Sequence, residues 1–399
     1  MRRKLLFLCG HLDAGGVERS LVEVLRHIDG SFDVDLVLLE RLGDYADRVP
    51  ARVNVRLVDI TRTEGPFLHA MGRALRSRDG FSAAMRTIIA LRRVAGVRSL
   101  ALARRLFPLR SRYDCAVAFR TGICADILGR VVRADRKVAW WHHGEFDYDA
   151  AGERALRETF SLLDQVVVVS EGCREMLAGR ALGIGDKIAV VPNMIDVEDI
   201  AAAAAAVPPA FPPSKGPGPV IVSVGRLSPE KAMIDCVDAC RILVERGRSP
   251  RWYLVGEGGE RPRIERAIAS AGLGEHMVLL GKLPDAYSTI AGADILVHPS
   301  RVESFALTVL EALALRVPAV VARSLGPSEY LVNERDALLV DPGAAPLAAG
   351  VERVLDDDRL RATLGGDHSA LLGRYAPEQV MGRIQRDVLL AAEGRDPAP

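Results

Sequence analysis

The chain has 399 residues, with Lys plus Arg numbering 53 and Asp plus Glu 52. A length of this kind implies two to three domains of roughly 100–200 residues each. The balanced charge excludes broad electrostatic capture of nucleic acid. Apolar residues make up 49% and aromatics only 5%, so large aliphatic cores are expected, without disulfides or structural metals.

The chain opens on Met1-Arg-Arg-Lys, and Leu5–Cys9 is too short an apolar run for a signal peptide. It reads as the first buried strand, Lys4–Cys9. Further strands are expected at Asp33–Leu39, Val53–Val58, Cys115–Phe119, Val138–Trp141, Val166–Ser170 and Ile188–Val191, with helices between most of them. Continuous apolar runs such as Val166–Val169 suit strands covered on both faces, as in parallel sheets. Residues 61–112 break the rhythm, with twelve arginines against Glu64 and Asp79. A helix over Ser82–Phe107 would be a solvated face or a cationic patch for an anionic membrane surface.

After Ala201–Ala206, the stretch Val207–Pro219 is too dense in Pro and Gly for a helix or central strand. We take 1–200 as an N-terminal domain, 201–219 as a linker, 220–375 as a second domain and 376–399 as a closing helix and tail. The second alternation predicts strands Val220–Val224, Trp252–Val255, Val278–Leu280, Ile295–Val297 and Ala319–Val321. Helices are predicted near Lys231–Arg246, Arg261–Ala271 and Phe305–Leu315. Two successive alternations imply two doubly wound α/β domains with ligands bound in the cleft between them. No run approaches 18 apolar residues, so no transmembrane helix is expected.

Cys9, Cys115, Cys124, Cys173, Cys236 and Cys240 form no C-x-x-C pair and read as buried free thiols. In Gly225-Arg226-Leu-Ser228-Pro229-Glu230-Lys231, Ser228 and Pro229 read as the start of a helix, with Arg226 and Lys231 beside an anion-favouring N-terminus. In His298–Ala312, Ser304 reads as an N-cap, and the amides of Phe305, Ala306 and Leu307 form a second anion site. Glu303 and Glu311 flank it as acceptors for hydroxyl groups. The alternative is that Glu303 only complements the helix dipole and Glu311 is an exposed helical residue. Gly15 and Gly16 let backbone approach a ligand. Neither this loop nor Gly256-Glu-Gly-Gly259 is a G-x-G-x-x-G, which argues against a dinucleotide-dependent oxidoreductase. His142 and His143 end a strand at the cleft edge. They lack metal-ligand companions, and one of the two would face substrate while the other faces the core. Asp147-Tyr-Asp149 reads as helix capping.

Taken in order, these motifs resemble the retaining glycosyltransferases of GT-B fold, family-four type (glycosyl transferases group 1). Gly225–Lys231 resembles the G-R-x-x-x-x-K element, and Glu303 to Glu311 the E-x-seven-E pattern. Gly256-Glu-Gly258, Gly281, Ala293-Asp294, His298-Pro-Ser300, Gly326-Pro-Ser-Glu329 and Asn333–Val340 stand at family positions. So do Gly15–Arg19 and Val191–Asp196. The resemblance implies a GT-B architecture whose final helix, Pro377–Ala392, crosses back to the first domain.

The resemblance further implies transfer of a sugar from a nucleoside diphosphate sugar, a UDP-sugar being favoured. The acceptor would be an envelope glycan, lipid-linked or small-molecule acceptor, and anomeric configuration would be retained. No metal or other cofactor is implied. Arg226 and Lys231 would hold the diphosphate, together with Gly15, Gly16, Gly256, Lys282, Ser304, Phe305, Ala306 and Leu307. Glu311 would bind ribose, Glu303 the donor-sugar hydroxyls, and His142 or His143 would stand near the transferred sugar. The expected location is cytoplasmic, or peripheral on the inner face of the cell membrane. A non-catalytic membrane-associated scaffold on a degenerate GT-B fold is the alternative, disfavoured by the intact Arg226, Lys231, Glu303 and Glu311. The chain departs from the family pattern at Ala306, Met194, Ala232 and Arg316, where glycine (or asparagine at 232) is common.

Overall fold

The computed structural model describes residues 2–60, 111–144, 148–180, 182–211 and 218–390. Residues 61–110 of the Arg-rich segment, residues 212–217 of the linker and the C-terminal residues 391–399 lie outside the described residues. Thirteen described strands form two all-parallel sheets. The first contains β1 (Arg3–Cys9), β2 (Phe32–Leu38), β3 (Asn54–Leu57), β4 (Arg112–Ala118), β5 (Arg133–Trp141), β6 (Gln165–Val168) and β7 (Ile188–Val190). The second contains β8 (Val220–Val224), β9 (Arg251–Val255), β10 (Met277–Gly281), β11 (Ile295–His298), β12 (Ala319–Ala322) and β13 (Leu338–Val340).

The spatial orders are β3-β2-β1-β4-β5-β6-β7 and β10-β9-β8-β11-β12-β13. Each sheet therefore reverses direction once, between β1 and β4 in the first domain and between β8 and β11 in the second. A crevice opens at the carboxyl ends of the strands at such a reversal, because the flanking connections leave to opposite faces.

Helices of the first domain are α1 (Gly16–His27), α2 (Ile123–Arg130), α3 (Ala150–Phe160), α4 (Glu171–Ala178) and α5 (Val197–Ala206). The second carries α6 (Met233–Glu245), α7 (Arg261–Ser270), α8 (Tyr287–Ala291), α9 (Leu307–Ala314), α10 (Leu325–Tyr330) and α11 (Ala344–Asp356). The short helices α12 (Asp358–Leu364) and α13 (Ser369–Leu372) follow, then α14 (Pro377–Arg383). The alanine run assigned to the linker is helical: Ala201–Ala206 forms the end of α5, whose first turn is capped by Asp196 accepting from the Asp199 amide at 3.0 Å.

Side-chain alternation explains the two cores of the second domain. Ile221, Trp252, Ile295, Val297 and Val320 pack on one face with α6, α7 and α11. Their neighbours Val222, Tyr253, Leu296 and Val321 turn to the other face, joining a core that is continuous with the first domain through Met194, Ile195, Phe305 and Leu310. All six cysteines are free and buried. Beyond α14, Ile384–Leu389 continues as a π-helix, and Arg136 Nε of β5 donates to Val388 O at 2.9 Å. The expected return of the C-terminal helix to the first domain is thus present as far as residue 390. No helix among the described residues is long and apolar enough to cross a membrane.

Candidate functional site

The candidate site lies where the reversal points of the two sheets face each other. From the second domain come the loops after β8 and β11. The loop after β8 does not start a continuous helix at Ser228 as expected. Pro229–Lys231 is a single 3-10 turn, and Ala232, at φ 49°, separates it from α6. The left-handed kink lets the loop project Lys231 rather than wind it into the helix. Arg301 N donates to Glu230 O at 3.0 Å, so the β8 and β11 loops are fastened together.

The second expected cap is also corrected. Ser304 does not cap the helix after β11; its Oγ donates to His142 O, 2.8 Å away in the first domain. The N-cap of α9 is Ala306, at φ 61°. The carbonyls of this loop are held from behind. Gly326 N donates to Glu303 O at 3.0 Å, and the Tyr330 hydroxyl to Phe305 O at 2.6 Å. A Cβ on Gly326 would stand 2.3 Å from Ser304 O, so only glycine lets α10 lie this close. The amides of Phe305, Ala306 and Leu307 have no acceptor among the described residues. They are fixed in place with their hydrogen-bonding capacity unspent, which suits an anionic ligand. Gly16 faces them across the cleft, where a Cβ would lie 3.7 Å from Leu307 Cδ1.

Lys231 Nζ donates to Glu303 Oε2 at 2.5 Å, and His298 Nε2 lies 3.3 Å from the same oxygen. Burial alone would raise the Glu303 pKa, but Lys231, followed by His298, outweighs it and holds the carboxyl well below the usual range. Arg226 is exposed at the cleft and has no ion pair among the described residues. Glu311 is 3% exposed on α9 and accepts from Arg19 of α1, whose guanidinium also lies 4.9 Å from the Tyr287 ring centroid.

The two histidines lie just past the end of β5 rather than within it, and their side chains separate. His142 packs against Phe119 and Trp140, with ring centroids 4.8 and 6.0 Å away. Its Nε2 is buried without a partner, and burial pushes its pKa down to about 3. His143 is exposed to the cleft. Partial loss of solvent around the ring, and then the charges of Arg120 and Arg226, lower its pKa.

Two further residues expected to touch ligand make contacts within the protein. Gly256, at φ 139°, packs loop on loop, since a Cβ there would fall 1.9 Å from Gly225 O. Lys282 follows β10 and pairs with Asp44 of the first domain. Asp149 does cap α3, accepting from Gly152 N at 2.7 Å. One cluster of His and carboxylate groups, Glu23, His27 and Asp196, lies within 4.8 Å. It sits on α1 and the α5 cap, and its acids are engaged by Arg26 and by the Asp199 amide.

Sequence reasoning missed Arg19, Arg120, His298 as a partner of Glu303, and Glu329. The Glu329 carboxylate accepts from the amides of Glu171 and Gly172, both at 3.0 Å, at the start of α4 in the other domain. For Arg19 a signal was at hand, because it ends the same glycine-pair motif as Gly15 and Gly16.

Comparison with known proteins agrees with this arrangement. Residues 14–199 match the family model for glycosyltransferase family 4, and residues 209–367 that for glycosyl transferases group 1. The two doubly wound domains and facing loops define a GT-B protein. The chain belongs to the group 1 glycosyltransferases.

Among its relatives is 2-deoxystreptamine glucosyltransferase of Streptomyces kanamyceticus, 31% identical over 237 residues, covering 55% of this chain and 61% of that protein. The lipopolysaccharide core biosynthesis glycosyltransferase LpsE of Rhizobium meliloti is 25% identical over 295 residues, covering 71% and 80%. Anabaena HepE in complex with UDP and glucose has a similar fold, with a TM-score of 0.69 at 18% identity, covering 97% of this chain and 99% of that one.

Proposed function

We propose that the protein transfers a sugar from a nucleoside diphosphate sugar, a UDP-sugar being favoured, to a glycan, lipid-linked or small-molecule acceptor, with retention at the anomeric carbon. The observation that carries this reading is the grouping of Arg226, Lys231 and the unengaged amides of Phe305, Ala306 and Leu307 around one crevice, with Glu303 at its centre. These groups supply positive charge and donors where a departing diphosphate gains negative charge, which is commonly the largest contribution to lowering such a barrier. Relatives that act on sugars, and a fold neighbour solved with UDP and glucose, support the same donor class.

In this reading Arg226 and Lys231 bind the diphosphate and the loop amides complete its shell. Glu311 takes the ribose hydroxyls and Glu303 those of the donor sugar. His143, the histidine open to the cleft, stands by the transferred sugar and the acceptor. His142 buttresses the cleft wall through its ring contacts and through the carbonyl that receives Ser304. Retention follows from front-face departure and attack, guided by these contacts.

The test is a donor panel measured by release of nucleoside diphosphate, paired with calorimetry of UDP. Arg226→Ala should weaken UDP binding by about 1.5–3 kcal/mol, the range for hydrogen bonds to charged groups. Glu303→Ala should abolish transfer and keep nucleotide affinity. Unchanged UDP affinity in the first variant, or wild-type turnover in the second, refutes the assignment.

A further inference from the structure

We propose that His298 is the positioning residue for Glu303 in the donor-loaded enzyme. It would take over the carboxylate when Lys231 turns to the diphosphate. The inference rests on the glycosyl-transfer reading and adds a residue to it.

His298 is the last residue of β11, next to the reversal point, and is 4% exposed. The three residues before it, Ile295, Leu296 and Val297, are fully buried aliphatics. An imidazole in that company is costly unless its polar atoms are used. Nδ1 has no hydrogen-bond partner among the described residues, and Nε2 forms none of regular geometry. Nε2 nonetheless points at one group, Glu303 Oε2, at 3.3 Å. A neutral ring protonated on Nε2 leaves only a lone pair at Nδ1, so no buried N–H is wasted there.

Lys231 Nζ occupies the same oxygen at 2.5 Å. Both partners of Glu303 therefore share Oε2, and Oε1 has no partner among the described residues. That asymmetry has a use. Oε1 is left for a sugar hydroxyl while Oε2 is anchored.

Lys231 cannot remain the anchor once a diphosphate draws its ammonium away. The Glu303 side chain is 11% exposed, and a carboxylate this enclosed is expensive without a donor. His298 is the other group already within reach. A small turn of the ring brings its N–H onto Oε2, the kind of tightening that accompanies substrate binding. Glu303 then keeps its charge and its aim through the exchange.

The experiment compares His298→Leu and His298→Gln with wild-type full-length protein. It reads UDP affinity by calorimetry, thermal stability, and kcat and KM with UDP-glucose or whichever UDP-sugar the donor panel selects. Loss of a charge-assisted hydrogen bond at Glu303 should lower kcat/KM in His298→Leu by about ten- to a hundredfold, with UDP affinity held within about twofold. Gln places an amide N–H near the Nε2 position and should recover activity to within about threefold of wild type. Wild-type kcat/KM in His298→Leu overturns the proposal. So does a parallel fall in UDP affinity, or a folded His298→Gln no more active than His298→Leu.

If His298→Leu does not fold, His298→Asn replaces it. Its shorter amide reaches only the Nδ1 position, and equal activity of the Asn and Gln variants overturns the proposal. A wild-type protein that neither binds UDP nor turns over any nucleotide sugar removes the glycosyl-transfer reading itself. Failure of His298 alone shows as an active wild type with a His298→Leu variant that matches it.

Discussion

Arg19 of α1 donates to Glu311 of α9, so one ion pair joins the helix after the glycine loop to the helix proposed to read the ribose. The Arg19 side chain is 19% exposed and that of Glu311 3%, and Arg19 Nη2 also reaches the Tyr45 hydroxyl at 3.3 Å. Removing one partner of an enclosed pair leaves an uncompensated charge, which is far worse than removing both. Arg19→Met should lower unfolding free energy by about 3 kcal/mol, and adding Glu311→Gln should restore most of it. Urea denaturation of the two single variants and the double variant checks this. Additive losses would show that the pair is energetically idle.

The Glu329 carboxylate at the start of α4 makes a second bridge between domains. Two of the helix's first amides go to Glu329, and a third, of Cys173, goes to Ser170 Oγ at 3.2 Å. The negative charge also complements the positive end of the helix. Glu329→Ala should cost about 1 kcal/mol and speed amide exchange at Glu171 and Gly172 selectively. Exchange that is unchanged there, or equally faster throughout α4, would contradict the bridging role.

Departures from the family pattern at Ala232, Ala306 and Arg316 all fall at left-handed backbone, with φ of 49°, 61° and 57°. Arg316 ends α9 in a Schellman motif: its amide donates to Leu313 O at 3.1 Å, and that of Val317 to Ala312 O at 2.9 Å. A side chain there costs about 1–2 kcal/mol, and glycine returns part of that as chain entropy. Arg316→Gly should therefore stabilise the protein by roughly 0.5–1 kcal/mol, read from the midpoint of urea unfolding. Met194, the fourth departure, carries no positive φ and sits buried in the interface core, so Met194→Gly should destabilise instead.

His142 predicts an acid limb. Its pKa is pushed down to about 3 in the fold by burial, against an ordinary value of 6.5. Between those values the unfolded chain binds the proton and the folded one does not. Stability is therefore fully present above about pH 6.5 and declines as pH falls toward 3, with a slope of up to about 1.4 kcal/mol per pH unit. His142→Phe, which preserves the stack on Trp140, should flatten the curve between pH 6 and 4 relative to wild type, with both ends read by chemical denaturation. Glu303 behaves oppositely in cause but not in sign. Its lowered pKa adds stability above the ordinary glutamate range, which is lost only at pH below it.

Much of this was legible in the residues. Continuous valine runs marked parallel strands to within a few positions, and Val220–Val224 to the residue. The short motifs after β1, β8 and β11 placed the cleft loops, because loops at strand ends carry their chemistry in consecutive residues. Three kinds of feature were hidden. Ser228 and Ser304 looked like caps because the backbone turns that displace them, at Ala232 and Ala306, lack the glycine that signals a left-handed residue. The bridges Arg19–Glu311 and Glu329–α4 join positions 292 and about 158 residues apart, beyond any local pattern. Strand β13 is three residues long and follows the charged turn Asn333–Asp336, so it carries too short an apolar run to stand out.

The chain passes between its domains twice, once between β7 and β8 and once before α14. The passages are not independent: Ile195 N donates to Tyr375 O at 2.8 Å, tying the outgoing segment to the returning one. Two covalent crossings bonded side by side behave as the pin of a door. They permit flexion about one line and resist twist or slide. Any opening of the cleft would then retrace a single arc on closing, returning Arg19 to Glu311 and Ser304 to His142.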